Sequence, residues 1–341
     1  MTISRRNALR GLAALGAVTL TGAARLRPAA AQDLPPTVRV DYAYYNPSSL
    51  VLKKFGWLEE ALADEGVGVE WVLSAGSNKA NEYLRSEATD FGSTAGAAAL
   101  LARANGSPIK TVYLYSKPEW AALVIGKDSP LAAVTELQGK KVAATKGTDP
   151  YFFLLRSLEE AGLKGSDVEV INLQHADGRV ALERGEVDAW AGLDPHMAAS
   201  ELEAGSKLLY RNIDFNTYGF LNGREAFITQ YPELTATVIE QYERARQWIL
   251  ANPDEAAQIL ADESKMSLDV AKKVLTERTV LDIDTVPGQT QTDVLTAVIP
   301  IMVNENQVKP DTDLPAILAE LFAPEIAAGV VAAEAAATPT A

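Results

Sequence analysis

Residues 139–156 read Gly-Lys-Lys-Val-Ala-Ala-Thr-Lys-Gly-Thr-Asp-Pro-Tyr-Phe-Phe-Leu-Leu-Arg, and the reading of this stretch decides the fold. Residues 142–145 form a short apolar run, β-branched at both ends, which predicts a buried strand. Lys146, Gly147 and Thr148 are too small and polar to prolong it. Asp149 and Pro150 predict a helix start, with a carboxylate in the cap position and proline at the first helical residue, where no N–H is missed. From Tyr151 the side chains suit a helix through Leu158. A strand that ends in a glycine turn and feeds a helix aims free backbone N–H groups at open space. That geometry binds an anion without a cationic side chain. The same pattern also serves as a capped surface helix in any α/β protein.

Working outward, strand and helix alternate on both sides. Upstream, strands are predicted at 38–44, 67–73, 89–92 and 109–115. Helices are predicted at 50–63 and 79–86, and a further one opens at Ser93 and Thr94. After an apolar run at 119–125 the pattern restarts: helix 134–137, strand 141–145, helix 150–162, strand 168–173, helix 178–184, strand 187–191. Asp194 and Pro195 then repeat the cap of Asp149 and Pro150. Such alternation predicts parallel sheets covered on their faces, with ligands beyond the carboxyl ends of the strands. Residues 84–93 (LRSEATDFGS) and 182–191 (LERGEVDAWA) echo each other, each a helix end, a polar turn, an aspartate and a brief apolar strand. This echo predicts two similar α/β lobes. Crossings are expected near 121–126 and 215–222, so that 38–124 and 217–325 form the first lobe and 125–216 the second. Helices after 224 pad the first lobe, and the Ala-, Val-, Thr- and Pro-rich residues 326–341 read as a loose, disordered tail.

The chain has 341 residues, no cysteine and only two histidines, His175 and His196. Disulfides, thiol nucleophiles and multi-histidine metal sites are therefore excluded. Residues 1–31 read as a signal peptide: Arg5, Arg6 and Arg10 precede a small apolar run, and Ala29, Ala30 and Ala31 form a cleavage pattern. The run is too short for a spanning helix, and the paired arginines resemble a twin-arginine signal. With no cysteine at the cleavage site, no lipid anchor is expected, and the mature protein is placed in the periplasm. The leader holds five of the 31 basic residues and no acid, which leaves 26 basic against 45 acidic, a net of −19. That balance opposes nucleic acid and anionic membranes.

Several runs together resemble one family, the periplasmic substrate-binding proteins of ABC importers for aliphatic sulfonates, taurine and related oxyanions. They are Asp-Phe-Gly-Ser-Thr at 90–94, Leu-Gln-Gly-Lys-Lys-Val at 137–142, Lys-Gly-Thr at 146–148 with Leu-Leu-Arg at 154–156, Ala-Gly-Leu at 161–163, and Val-Asp-Ala-Trp at 187–190 with Asp194 and Pro195. The resemblance covers about 38–322. It implies an α/β, two-lobed periplasmic-binding-protein fold of type II, binding without chemistry on the ligand, no cofactor, a monomer, and delivery to an inner-membrane permease.

Carried onto this sequence, the family's pocket segments point to Asn46 and Ser48, Ser93 and Thr94, Glu119 and Trp120, Thr148 and Asp149, and Asp194 and His196. Trp120, Tyr151 and Tyr218 are candidates to wall an organic tail. Ordinary capping, turn and core packing are the competing readings of these residues. Asp149 stands where a serine or threonine is common in sulfonate binders, and Leu193 where an aromatic is. Asp149 is expected to cap its helix with the carboxylate at the cleft edge, so that Asp149→Ser keeps or tightens sulfonate binding. If the ligand is instead a zwitterion with an ammonium, the same change weakens it. The expected ligand is a small organosulfur anion, a sulfonate or sulfate ester. Taurine, nitrate or a thiamine-type pyrimidine are the alternatives, along with a sensory or chaperone-like domain. A pyrimidine-forming enzyme of the same fold is disfavoured by the missing cysteine.

Overall fold

The computed structural model describes residues 34–337. The expected leader and residues 338–341 lie outside them. The described residues hold eleven strands: β1 (Thr37–Tyr42), β2 (Gly68–Leu73), β3 (Phe91–Ala95), β4 (Ile109–Pro118), β5 (Ala121–Ile125), β6 (Lys141–Ala144), β7 (Glu169–Asn172), β8 (Ala189–Leu193), β9 (Lys207–Tyr210), β10 (Gly219–Arg224) and β11 (Thr279–Val280). They make two sheets, ordered β11-β4-β10-β3-β1-β2 and β7-β6-β8-β5-β9. Each sheet is one lobe.

The two sheets share a plan. β1 lies between β2 and β3 and is parallel to both, as β6 is to β7 and β8. Beside each trio runs an antiparallel strand that has crossed from the other lobe, β10 against β3 and β5 against β8. β3, β5 and β8 are buried at every residue, which is why β5 and β8 read as short unbroken apolar runs without alternation.

The echo between residues 84–93 and 182–191 has a physical basis in the sheets. Asp90 Oδ2 accepts from the amide of Arg39 at 2.9 Å, and Asp188 Oδ2 accepts from the amide of Lys141 at 2.8 Å. Each carboxylate binds the amide near the start of the neighbouring central strand, while its own amide donates to that same residue's carbonyl. An aspartate before a brief strand therefore marks the same structural position twice.

Two expectations are corrected. The lobe boundary at 124/125 would leave β5 in the first lobe, yet β5 pairs with β8 and β9 in the second sheet. An apolar run demands a buried strand but does not say in which sheet. The crossings thus fall at Glu119–Trp120 and between Tyr210 and Gly219. The tail expected over 326–341 is also overturned where it is described, because Pro324–Ala337 is a helix. It packs on the helix Pro232–Ala251 and on β4, burying Ala327 and Val330. Low complexity suggested looseness, but an alanine-rich run is also the best helix former, and two apolar side chains on one face suffice to dock it.

Candidate functional site

β1, β2, β3, β6, β7 and β8 each run within a few residues into a helix at the carboxyl end. In the first lobe these helices are Pro47–Phe55, Ser77–Arg85 and Gly96–Ala104; in the second they are Asp149–Glu160, His175–Glu183 and His196–Ala199. The starts of Ser77–Arg85 in the first lobe and of Asp149–Glu160 and His175–Glu183 in the second meet between the lobes. A Cβ added to Gly76 would lie 3.0 Å from His175 Nε2, and one added to Gly147 would lie 3.8 Å from Asn78 Cβ. Gly147 has φ +79°, a conformation glycine adopts freely, so the turn read from residues 146–148 is real.

The first-lobe wall is built on Asp41, which sequence reasoning missed. Its Oδ1 accepts from both the amide and the hydroxyl of Ser93 at 2.8 Å. Ser93 Oγ in turn accepts from Asn46 Nδ2 at 2.7 Å, and Asn46 Oδ1 caps the helix Pro47–Phe55 at the amide of Ser49. Burial raises the Asp41 carboxyl from 3.8 to about 6, against the lowering effect of its hydrogen bonds from Ser93. Asp41 Oδ2 and the hydroxyls of Ser48 and Ser74 are buried without a protein partner. Ser93 and Thr94 do not open a helix as expected. They lie inside β3, and the helix begins at Gly96. Thr94 Oγ1 accepts from Asn222 and donates to the Ala95 carbonyl. β-sheet pairing with β10 holds the chain extended two residues further than the small side chains suggest.

Asp149 is not a cap and does not stand at the cleft edge. It is the first residue of its helix, Thr148 holds the cap position, and the carboxylate turns into the protein. Oδ2 accepts from Trp120 Nε1 and from the Thr217 amide, both at 2.9 Å, and Oδ1 accepts from the Thr217 hydroxyl at 2.6 Å. Trp120 and Thr217 belong to the two crossings. Thr217 continues the chain of bonds into the first lobe, its carbonyl and hydroxyl accepting from the amides of Gly96 and Ala97. Asp149 therefore ties a second-lobe helix to both crossings. Burial raises its pKa against these donors.

Other candidates also serve the junction. Glu119 makes a two-bond pair with Arg211, at 2.8 and 2.7 Å, joining the two crossings. Asp194 accepts from the Ala198 amide at 2.9 Å and from Arg278 Nη1, and Arg278 also donates to Glu201. Arg278 precedes β11 of the first sheet, so this buried cluster spans the lobes. Tyr218 lies in the second crossing with φ +62°, and Lys117 Nζ sits 5.8 Å from its ring centre. Tyr151 faces Gln307, not the meeting helix starts. Thr148 Oγ1 donates to the Thr145 carbonyl.

Of the twelve candidates, the structure brings Asn46, Ser48 and Ser93 together on one wall, with Trp120 reaching it edge-on through Tyr45 at 5.9 Å between ring centres. His196 lies on the second lobe beside His175, which sequence reasoning placed outside any helix start. Burial lowers both, His175 to about 3 and His196 to about 4, so both are neutral at pH 7. The missed signals were present: an aspartate near the carboxyl end of the first strand, at 41, and a histidine two residues after the strand read at 168–173.

Cavities open among the described residues. One of about 670 Å³ involves Gly126, Lys140, Val187 and Ser206, at the amino ends of β6, β8 and β9, the wrong end of the second sheet for a ligand. Another of about 540 Å³ runs between Ser77–Arg85 and Gly96–Ala104, with Asn78 and Gly147 at its edge. Among the described residues no group of three or more histidines and carboxylates could hold a metal ion.

Known proteins share this plan. The family described as NMT1/THI5 like matches residues 56–256, more than half of the chain. A putative aliphatic sulfonates-binding protein of Escherichia coli (strain K12) is 29% identical over 249 residues, covering 72% of this chain and 74% of the relative. A taurine-binding periplasmic protein of the same organism is 27% identical over 264 residues, 74% and 75% of the two chains. Among solved structures, the alkanesulfonate-binding protein SsuA from Xanthomonas axonopodis pv. citri, bound to MOPS, superposes with a TM-score of 0.76. It is 23% identical over 83% of this chain and 98% of its own.

Proposed function

The chain belongs to the NMT1/THI5-like family, and from that premise we propose that it is the periplasmic binding component of an ABC importer, carrying a small organosulfur oxyanion to a membrane permease. The observation that carries this reading is the meeting of helix starts from two lobes joined by only two crossings. Each start offers backbone N–H groups, and the Ser48 and Ser74 hydroxyls add donors on the first-lobe wall. The names of the relatives favour an aliphatic sulfonate over nitrate or a pyrimidine. The two lobes close on the ligand by rotation about 119–120 and 211–218. Asp149 and the Glu119–Arg211 pair keep the crossings in register. The protein binds its ligand without reacting with it, as a monomer, and is exported folded through its paired arginines.

The test is a thermal-shift screen of the mature chain with alkanesulfonates, sulfate esters, taurine, nitrate and an aminopyrimidine. A sulfonate or sulfate ester at about a hundred times its Kd stabilises the fold by about 2.7 kcal/mol. A shift with nitrate or the pyrimidine alone replaces the ligand class, and no shift with any of them overturns the reading.

A further inference from the structure

His175 opens the second-lobe helix His175–Glu183 and is 1% exposed. The Thr145 hydroxyl lies 2.6 Å from the Leu173 carbonyl, which can only accept, so the hydroxyl proton points there. Its lone pair then receives the proton on His175 Nδ1, 3.2 Å away. A neutral imidazole with its proton on Nδ1 presents Nε2 as a bare acceptor. That Nε2 is buried and has no donor in the protein. Asn78 Oδ1, from the first turn of Ser77–Arg85 in the first lobe, is likewise buried without a donor. Both atoms lie beside Gly76. A Cβ added to Gly76 would sit 2.9 Å from Asn78 Oδ1 and 3.0 Å from His175 Nε2. Glycine at 76 lets the two lobes bring these acceptors together, and the 540 Å³ cavity opens beside Asn78.

Two acceptors buried without a donor carry a desolvation penalty that a ligand donor reaching them removes. An unsubstituted alkanesulfonate has no hydrogen-bond donor for either of them.

We propose that His175 is a specificity-determining residue which, with Asn78, accepts a hydrogen bond from an N–H or O–H group of the ligand, so that the transported anion is an amino- or hydroxyalkyl sulfonate or sulfate ester. This rests on the function proposed above and names the ligand within it. Because the two acceptors come from different lobes, a donor satisfies both only when the lobes meet, and recognition is coupled to closure.

Calorimetry on the mature chain with ethanesulfonate, isethionate and taurine tests this. These ligands share the ethyl chain and the sulfonate and differ in carrying no donor, a hydroxyl or an ammonium. In the wild type at least one donor-bearing ligand is expected to bind about tenfold or more tightly than ethanesulfonate. His175→Phe is expected to erase that preference, and His175→Gln, which keeps an acceptor, to restore part of it. Asn78→Leu reduces the preference from the other lobe and serves if His175→Phe does not fold. Equal wild-type affinity for all three ligands overturns the proposal and leaves the function standing. So does an equal loss for all three in His175→Phe, the signature of His175 bonding to a turned Asn78 amide as a plain closure contact. Binding of none of the three also overturns it, and the broader anion screen then decides whether the function falls as well.

Discussion

At the scale of single residues, Asp41 and Asp149 look alike in sequence and do different work. Asp41 is a buried carboxyl whose folded pKa is raised from 3.8 to about 6, mainly by burial. A group raised in this way contributes stability that is full below its ordinary value and is lost as pH rises through about 6. The stability of the wild type relative to Asp41→Asn is therefore expected to fall by about 3 kcal/mol between about pH 4 and pH 7, measured by urea unfolding. A difference that stays flat with pH would mean the carboxylate is ionised throughout. Asp149, with three donors from Trp120 and Thr217, is an anchor of the crossings. Asp149→Ser is consequently expected to destabilise the protein by about 2–4 kcal/mol, since a shorter side chain leaves buried donors unpaired. Denaturant titration decides between this and the cleft-edge role that the sequence suggested, in which stability would hardly change.

Among elements, the contact between β11's leading residue and the second lobe depends on one ion cluster. Arg278 is 4% exposed and holds Asp194 and Glu201. Arg278→Met is expected to cost about 3–5 kcal/mol, because Asp194 stays buried without its cation. Adding Asp194→Asn is expected to recover part of that loss, and a double-mutant cycle measures how much. The final helix offers a second check. Truncation after Ala323 removes Ala327 and Val330 from the face of Pro232–Ala251, and an expected loss of about 2–4 kcal/mol would appear as a lower melting temperature. An unchanged melting temperature would mean the helix adds nothing to the first lobe.

For the whole molecule, two rigid sheets joined through short crossings make a hinge the natural motion. X-ray scattering of the mature chain is expected to show a smaller radius of gyration with a tight ligand than without it. Trp120 sits at the first crossing with its indole N–H on Asp149, so its fluorescence is expected to report the same transition. A ligand proven to bind that changes neither signal would argue for a preformed closed site.

How much of this was legible in the chain depends on the range of the forces involved. Local chemistry determined the strand–turn–helix units. Proline at 150, glycine at 147 and the apolar run at 142–145 act within a few residues, so they read correctly without a structure. The echo of Asp90 and Asp188 determined the two-lobe plan, because each carboxylate binds an adjacent strand and so leaves a repeated mark. Only the tertiary structure decided which sheet β5 joins, since an apolar run is equally buried in either. Only it turned Asp149 inward, because the partners Trp120 and Thr217 lie 29 and 68 residues away along the chain. The pairing of His175 with Asn78 was hidden for the same reason: the two sit at starts of helices in different lobes, and only the approach at Gly76 makes them neighbours.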